Sequence, residues 1–212
     1  MSDTAVRTGP LRPQHRPRIE QILHSTGVFR SEEIGVALEL FDEALPSPFV
    51  LASGSSDARA ADETQPESIQ AVRSTQYPST VPLPSPSSSY VFLGAFTPDD
   101  ELVGFACYGP TPGTDRTWDL YWIAVHQTAQ GTGSGTILLS EVERRLEDTD
   151  ARMFVVETSS RSEYEPTRAF YRARGYAEAA RMRDFYAPSD DRIILTKRFH
   201  HPHRGREQSH DE

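Results

Sequence analysis

Residues 127–139 read QTAQGTGSGTILL, and their types and spacing suit binding of a phosphate. Gly131, Gly133 and Gly135 alternate with Thr132 and Ser134, and an apolar run follows at once. In that run Ile137, Leu138, Val142 and Leu146 recur at helical steps with charges between them. The preceding DLYWIAV (119–125) is rich in β-branched and aromatic residues and predicts a buried strand. A strand, a side-chain-free loop and a helix start present unpaired backbone N–H groups and a positive dipole end to an anion. A nucleotide P-loop needs a lysine after its last glycine, whereas Thr136 follows Gly135 here. The dinucleotide fingerprint would need glycine at 136 and a place beside the first strand. Cys107, the single cysteine, sits in the apolar LVGFACYG and reads as a buried thiol rather than a nucleophile. Four of the seven histidines fall in the polar tail HHPHRGREQSHDE and read as solvated, so no metal is expected.

The elements that must position this loop can be traced along the chain. VRTGPLRP suggests a short first strand, and QHRPRIEQILHSTG a helix with Ile19, Ile22 and Leu23 on one face. Ser31 is the expected N-cap of EEIGVALELFDEAL, whose Glu32 and Glu33 complement the helix dipole. YVFLGAF and ELVGFACYGP form a predicted hairpin turned at Pro98-Asp99-Asp100. ARMFVVETSS predicts a strand running through Val156. A short helix in EPTRAFYRARGY, bracketed by Pro166 and Gly175, and a closing pair YAEAARMRDFY and DRIILTKRF complete the order β-α-α, β-β, β-α, β-α, β-β. The expected fold class is α/β: one domain over 5–199 with a mixed, mostly antiparallel sheet of about seven strands and about four helices.

Residues 52–89 differ in kind. Ten serines and five prolines among 38 positions, with no sustained period, predict a disordered insertion, with a functional lid as the alternative. The tail 200–212 is likewise expected to be disordered. A net charge of −9 and the lack of a basic, aromatic-interleaved stripe argue against nucleic acid. The absence of a long apolar run argues against a membrane partner. A lone cysteine and an N-terminus without a signal-like apolar stretch predict a cytoplasmic protein.

Several agreements then converge: Gln130-x-x-Gly133-x-Gly135 after a strand ending Ile123-Ala124-Val125, ETS on the next strand, and Phe170-Tyr171-x-x-x-Gly175-Tyr176. With this combination the chain resembles the GNAT superfamily of N-acetyltransferases over most of residues 5–199, apart from 52–89. The resemblance implies acetyl-CoA as co-substrate. Its diphosphate would lie over the loop Gln130, Gly131, Thr132, Gly133, Ser134 and Gly135, and its pantetheine arm along Ile123, Ala124 and Val125. It implies an N-acetyltransferase acting on a primary amine of a small molecule. The alternatives are a protein lysine or N-terminal acyltransferase and a non-catalytic acyl-CoA sensor. A homodimer is left open.

The resemblance also implies roles. Tyr171 matches the tyrosine that protonates the leaving thiolate, and a phenol of ordinary pKa ~10 is protonated at neutral pH. Phe170 beside it reads as the core residue. Asp119 lies where many relatives carry an acidic base, with Glu157 on the neighbouring strand as the alternative. Strand alternation would put Asp119, Tyr121, Ile123 and Val125 on one face. Tyr164 stands where many relatives have asparagine. The turn Thr26–Arg30 and the last hairpin would shape the acceptor pocket, with Phe29, Tyr121, Phe185 and Tyr186 as walls. Asp184, Asp190 or Asp191 would hold an ammonium or simply form the turn.

Overall fold

The computed structural model describes residues 6–45 and 90–199. The expectations for 52–89 and for the tail 200–212 concern segments that lie outside the described residues. The described chain contains β1 (Arg7–Pro10), α1 (Arg16–Thr26), α2 (Ser31–Ala44), β2 (Val91–Phe96), β3 (Leu102–Pro110) and β4 (Thr117–Val125). It continues with α3 (Ser134–Asp148), β5 (Met153–Ser159), α4 (Glu165–Arg172), β6 (Ala177–Ala187) and β7 (Asp190–Arg198). The element order is the one the sequence predicts. Ser31 is the first helical residue of α2 rather than its cap. Arg30 caps the helix, and its N–H donates to Glu33 Oε2 at 2.7 Å.

The seven strands form one sheet in the order β1-β2-β3-β4-β5-β7-β6. Every pairing is antiparallel except β4 with β5. A parallel neighbour needs a long crossover, and α3 provides it. Its Leu138, Leu139, Val142 and Leu146 are buried on one face of the sheet against Ala106, Tyr108, Leu120 and Phe154. On the other face α1 and α2 bury Ile19, Ile22, Leu23 and Phe41 against Phe92, Phe105 and Cys107. Alternation along β3 therefore feeds two cores. Cys107 is fully buried and its thiol is pushed well up by that burial, in keeping with an inert core side chain.

Two irregularities in the sheet make the site. Pairing between β4 and β5 stops at Leu120 and Val156, so the two strands part beyond that point. In addition, Tyr108 pairs with Leu120 while Cys107 pairs with Trp122, which leaves Tyr121 unopposed as a bulge. The bulge overturns the expected alternation. Asp119, opposite Gly109, shares the α1/α2 face with Trp122 and Ala124, whereas Ile123 and Val125 pack toward α3.

Candidate active site

The glycine loop has the backbone the sequence demanded. Gly131 and Gly133 have φ of +77° and +93°, a region that side chains with a Cβ avoid. Nothing lies within 4 Å of a Cβ built at either position, so the space over the loop is open. The N–H groups of residues 131–136 have no backbone acceptor among the described residues. Thr132 Oγ1 donates to the Ala129 carbonyl at 2.7 Å, which holds the turn, and Gln130 Nε2 donates to the Val125 carbonyl at 3.1 Å. A row of free N–H groups on α3's N-terminus, in open space, fits a diphosphate.

Where β4 and β5 part, a cleft of about 280 Å³ opens, lined by Ile123, Ala124, Val125, Gln130, Glu157 and Tyr171 among others. Tyr171 is only 2% exposed. Burial pushes its phenol well above the ordinary value, so it stays protonated. Its ring meets Phe170 and Tyr176 edge-on, both at 5.3 Å between centroids. Of the neighbours at 170 and 171, the tyrosine is the more deeply buried, contrary to the expectation that Phe170 fills the core. Phe170 instead packs 3.7 Å from a Cβ built at Gly135 and carries the Arg174 guanidinium at 3.7 Å from its ring centre.

A second cleft, of about 340 Å³, shares a wall with the first. Phe29, Tyr121, Glu157 and Tyr164 line both, whereas Asp119 and Tyr186 line the second alone. Thr111 Oγ1 donates to Asp119 Oδ2 at 2.8 Å. Burial raises the Asp119 carboxyl above its ordinary value; the Thr111 bond and Arg192 oppose the shift, and Glu157 adds to it. Glu157 is ion-paired to Arg192. Phe185 lines neither cleft. It lies under the Arg192 guanidinium at 4.9 Å and edge-on to Tyr186 at 5.0 Å, so it supports the wall rather than forming it.

The final hairpin's acids divide in the same way. Asp184 Oδ1 accepts from the Ser189 N–H at 2.6 Å and Asp191 Oδ1 from the Asp184 N–H at 3.1 Å, so both form the turn. Asp190 is buried in the cleft wall, accepting from the Ser159 hydroxyl. Tyr164, the departure from the common asparagine, donates from Oη to the Val28 carbonyl at 3.3 Å and so joins the approach to α4 with the α1–α2 turn. Sequence reasoning missed Arg161 and Arg192, which have no local pattern of their own, and gave Ser159 no role although it belongs to the ETS of β5. Among the described residues no group of His, Cys, Asp or Glu is placed to hold a metal, and no helix is long and apolar enough to cross a membrane.

A parted parallel strand pair, with bare helix-start amides beside one cleft and a charged aromatic cleft adjoining it, fits a phosphate-bearing ligand beside a second one. The profile of the acetyltransferase (GNAT) family matches residues 58–176, and the chain belongs to that family. It is a GNAT-type N-acetyltransferase, and acetyl-CoA-dependent acetylation is the family's activity. Among solved structures, a GNAT-family protein from Desulfovibrio desulfuricans is 34% identical, with a TM-score of 0.65 over 92% of this chain and 98% of its own. The ribosomal-protein-S18-alanine N-acetyltransferase of Escherichia coli is 16% identical, with a TM-score of 0.58 over 94% and 97%. The PaiA N-acetyltransferase of Thermoplasma acidophilum, solved with coenzyme A, is 15% identical, with a TM-score of 0.56 over 92% and 99%. No curated protein matches the chain.

Proposed function

We propose that the enzyme acetylates a primary amine of a small molecule, with Glu157 as base and Tyr171 as acid. One observation carries this reading: Glu157 lines both clefts, while Tyr171 lines only the cleft beside the parted strand. Acetyl-CoA, when bound, supplies an activated acetyl group as a thioester. Residues 130–135 and the free edge of β4 at Ile123–Val125 would hold it, by the amides and open space described above. The amine must be neutral to attack. The Glu157 carboxylate, facing the acceptor, takes its proton directly or through an ordered water. Tyr171, in the cleft beside the parted strand, holds a proton at Oη for the leaving sulfur. A main-chain N–H of the parted strand would polarise the carbonyl oxygen. Asp119, confined to the acceptor cleft, orients the amine.

An acceptor cleft of about 340 Å³, walled by Phe29, Tyr121 and Tyr164, suits a small acceptor better than a peptide. The test is thiol release from acetyl-CoA across small amines, free amino acids, and peptides with free lysines or N-termini. Turnover confined to peptides would move the reading to protein acylation. Coenzyme A binding without turnover of any acceptor would make the protein a sensor.

A further inference from the structure

The acceptor cleft carries an arginine set that a simple amine does not need. Its walls hold four carboxylates, Glu33, Asp119, Glu157 and Asp190, against three guanidiniums, Arg30, Arg161 and Arg192. The whole chain has 31 acidic residues to 22 basic, nearly the same proportion, so the cleft carries both signs of charge without an excess of carboxylates over the rest of the protein. A site for a polycation would be dominated by carboxylates. A near-balanced one suits a ligand with both charges.

Arg161 is the built part of this set. Arg168, only 6% exposed, donates to the Ser159 carbonyl at 2.5 Å and the Arg161 carbonyl at 2.9 Å. The Arg161 N–H donates to Ser159 Oγ at 3.0 Å. The backbone that carries the guanidinium is therefore held on both sides. The head group lies over the Tyr164 ring, 5.2 Å from its centre, and keeps hydrogen-bonding capacity to spare. Its closest approach to Asp190 is 3.6 Å, beyond a hydrogen bond, and its Nε is buried without a partner among the described residues. Arg192 also has a buried Nε without a partner among the described residues, but its head group is held by the ion pair with Glu157 and by the Phe185 ring. A buried guanidinium N–H left unpaired is costly, and an oxyanion drawn in by the guanidinium would satisfy the head group with charge-assisted bonds.

The geometry points to a zwitterionic acceptor: a small molecule whose amine faces Glu157 while an oxyanion on the same scaffold, a carboxylate or phosphonate, docks on Arg161. This inference rests on the acetyl-transfer reading above. The aromatic walls formed by Phe29, Tyr90, Trp122 and Tyr164 favour an apolar substituent between the two charges.

The test uses the full chain and matched acceptors: apolar α-amino acids, their phosphonate analogues, their carboxamides and their decarboxylated amines. The charged forms should exceed the neutral ones in kcat/KM by about 10–100-fold, the range of one charge-assisted hydrogen bond. Comparing carboxylate with phosphonate identifies the oxyanion. Arg161→Leu should collapse the charged-to-neutral ratio toward one, mainly through KM, and Arg161→Lys should restore part of it. Neutral amines turned over as well as the acids would overturn the inference while leaving acetyl transfer intact. So would Arg161→Leu lowering all acceptors equally. If no acceptor is turned over, calorimetry with coenzyme A-loaded protein decides between acid and carboxamide forms. Equal or undetectable binding of both would sink the zwitterion, and acid binding lost in Arg161→Leu would sustain it. Melting temperatures of both variants keep misfolding separate from these outcomes.

Discussion

At the scale of single residues, the two cleft memberships separate roles that composition could not. Glu157→Gln should lower kcat about 10²–10⁴-fold near neutral pH, with partial recovery at higher pH where free amine is abundant. Asp119→Asn should act mainly on KM. A reversed ranking in steady-state kinetics would return the base role to Asp119. Tyr171→Phe keeps the packing against Phe170 and Tyr176 and removes only the donor, so kcat should fall by a similar factor while coenzyme A affinity holds. Undiminished turnover would end the acid assignment. Asp119 also makes a stability prediction. Its carboxyl is raised in the folded protein, chiefly by burial, so the neutral form is favoured there. The associated stability is present below the unfolded value of ~3.9 and is lost as pH rises through the folded value. Asp119→Asn should therefore raise the melting temperature at pH 7 relative to wild type, and the gain should fade below about pH 4. A gain independent of pH would show that charge burial is not its cause.

At the scale of elements, the loop and α3 act together. Gly133→Val places a β-branched residue at φ +93° and fills the open space over the free amides. Calorimetry should show coenzyme A affinity collapsing while the far-ultraviolet circular dichroism of the variant stays native. A folded variant with wild-type affinity would remove the loop from the binding site. Near this loop, Gly104 answers a different constraint. A Cβ there would lie 2.9 Å from the Ala124 carbonyl, so glycine lets β3 pair closely with the end of β4 whose other edge is free.

At the scale of the molecule, one sheet separates two cores. Leu139 and Leu23 are both fully buried, in different clusters on opposite faces. Each Leu→Ala change should cost about 2–5 kcal/mol. The double variant should lose nearly the sum, since residues that share no neighbours couple weakly. Denaturant titration measures all three. A double loss far below the sum would mean that the two faces yield as a coupled unit.

What the sequence determined by itself was local: the elements and their order, though not the exact start of α2, which is capped by Arg30 and not Ser31. Helical spacing in α1 and α3, apolar runs about the Pro98-Asp99-Asp100 turn in β2 and β3, and turn residues around β6 and β7 specify each element through a few neighbouring side chains. The glycine loop and the family pattern around Tyr171 were legible for the same reason, because their signals lie within a few residues of one another. What only the tertiary structure decided depends on partners distant along the chain. The bulge at Tyr121 is set by register against β3, and it sends Ile123 and Val125 to the face opposite Asp119. Glu157 reaches both clefts because β5 parts from β4 past Val156 while remaining paired with β7. Ser159 and Asp190, 31 residues apart, meet under Arg161 through that same β5–β7 pairing. Nothing near Arg161 in the chain marks it as a ligand-binding side chain. Its environment is made by strand order, and strand order reflects the burial of two apolar faces, a property of the assembled sheet rather than of any one segment.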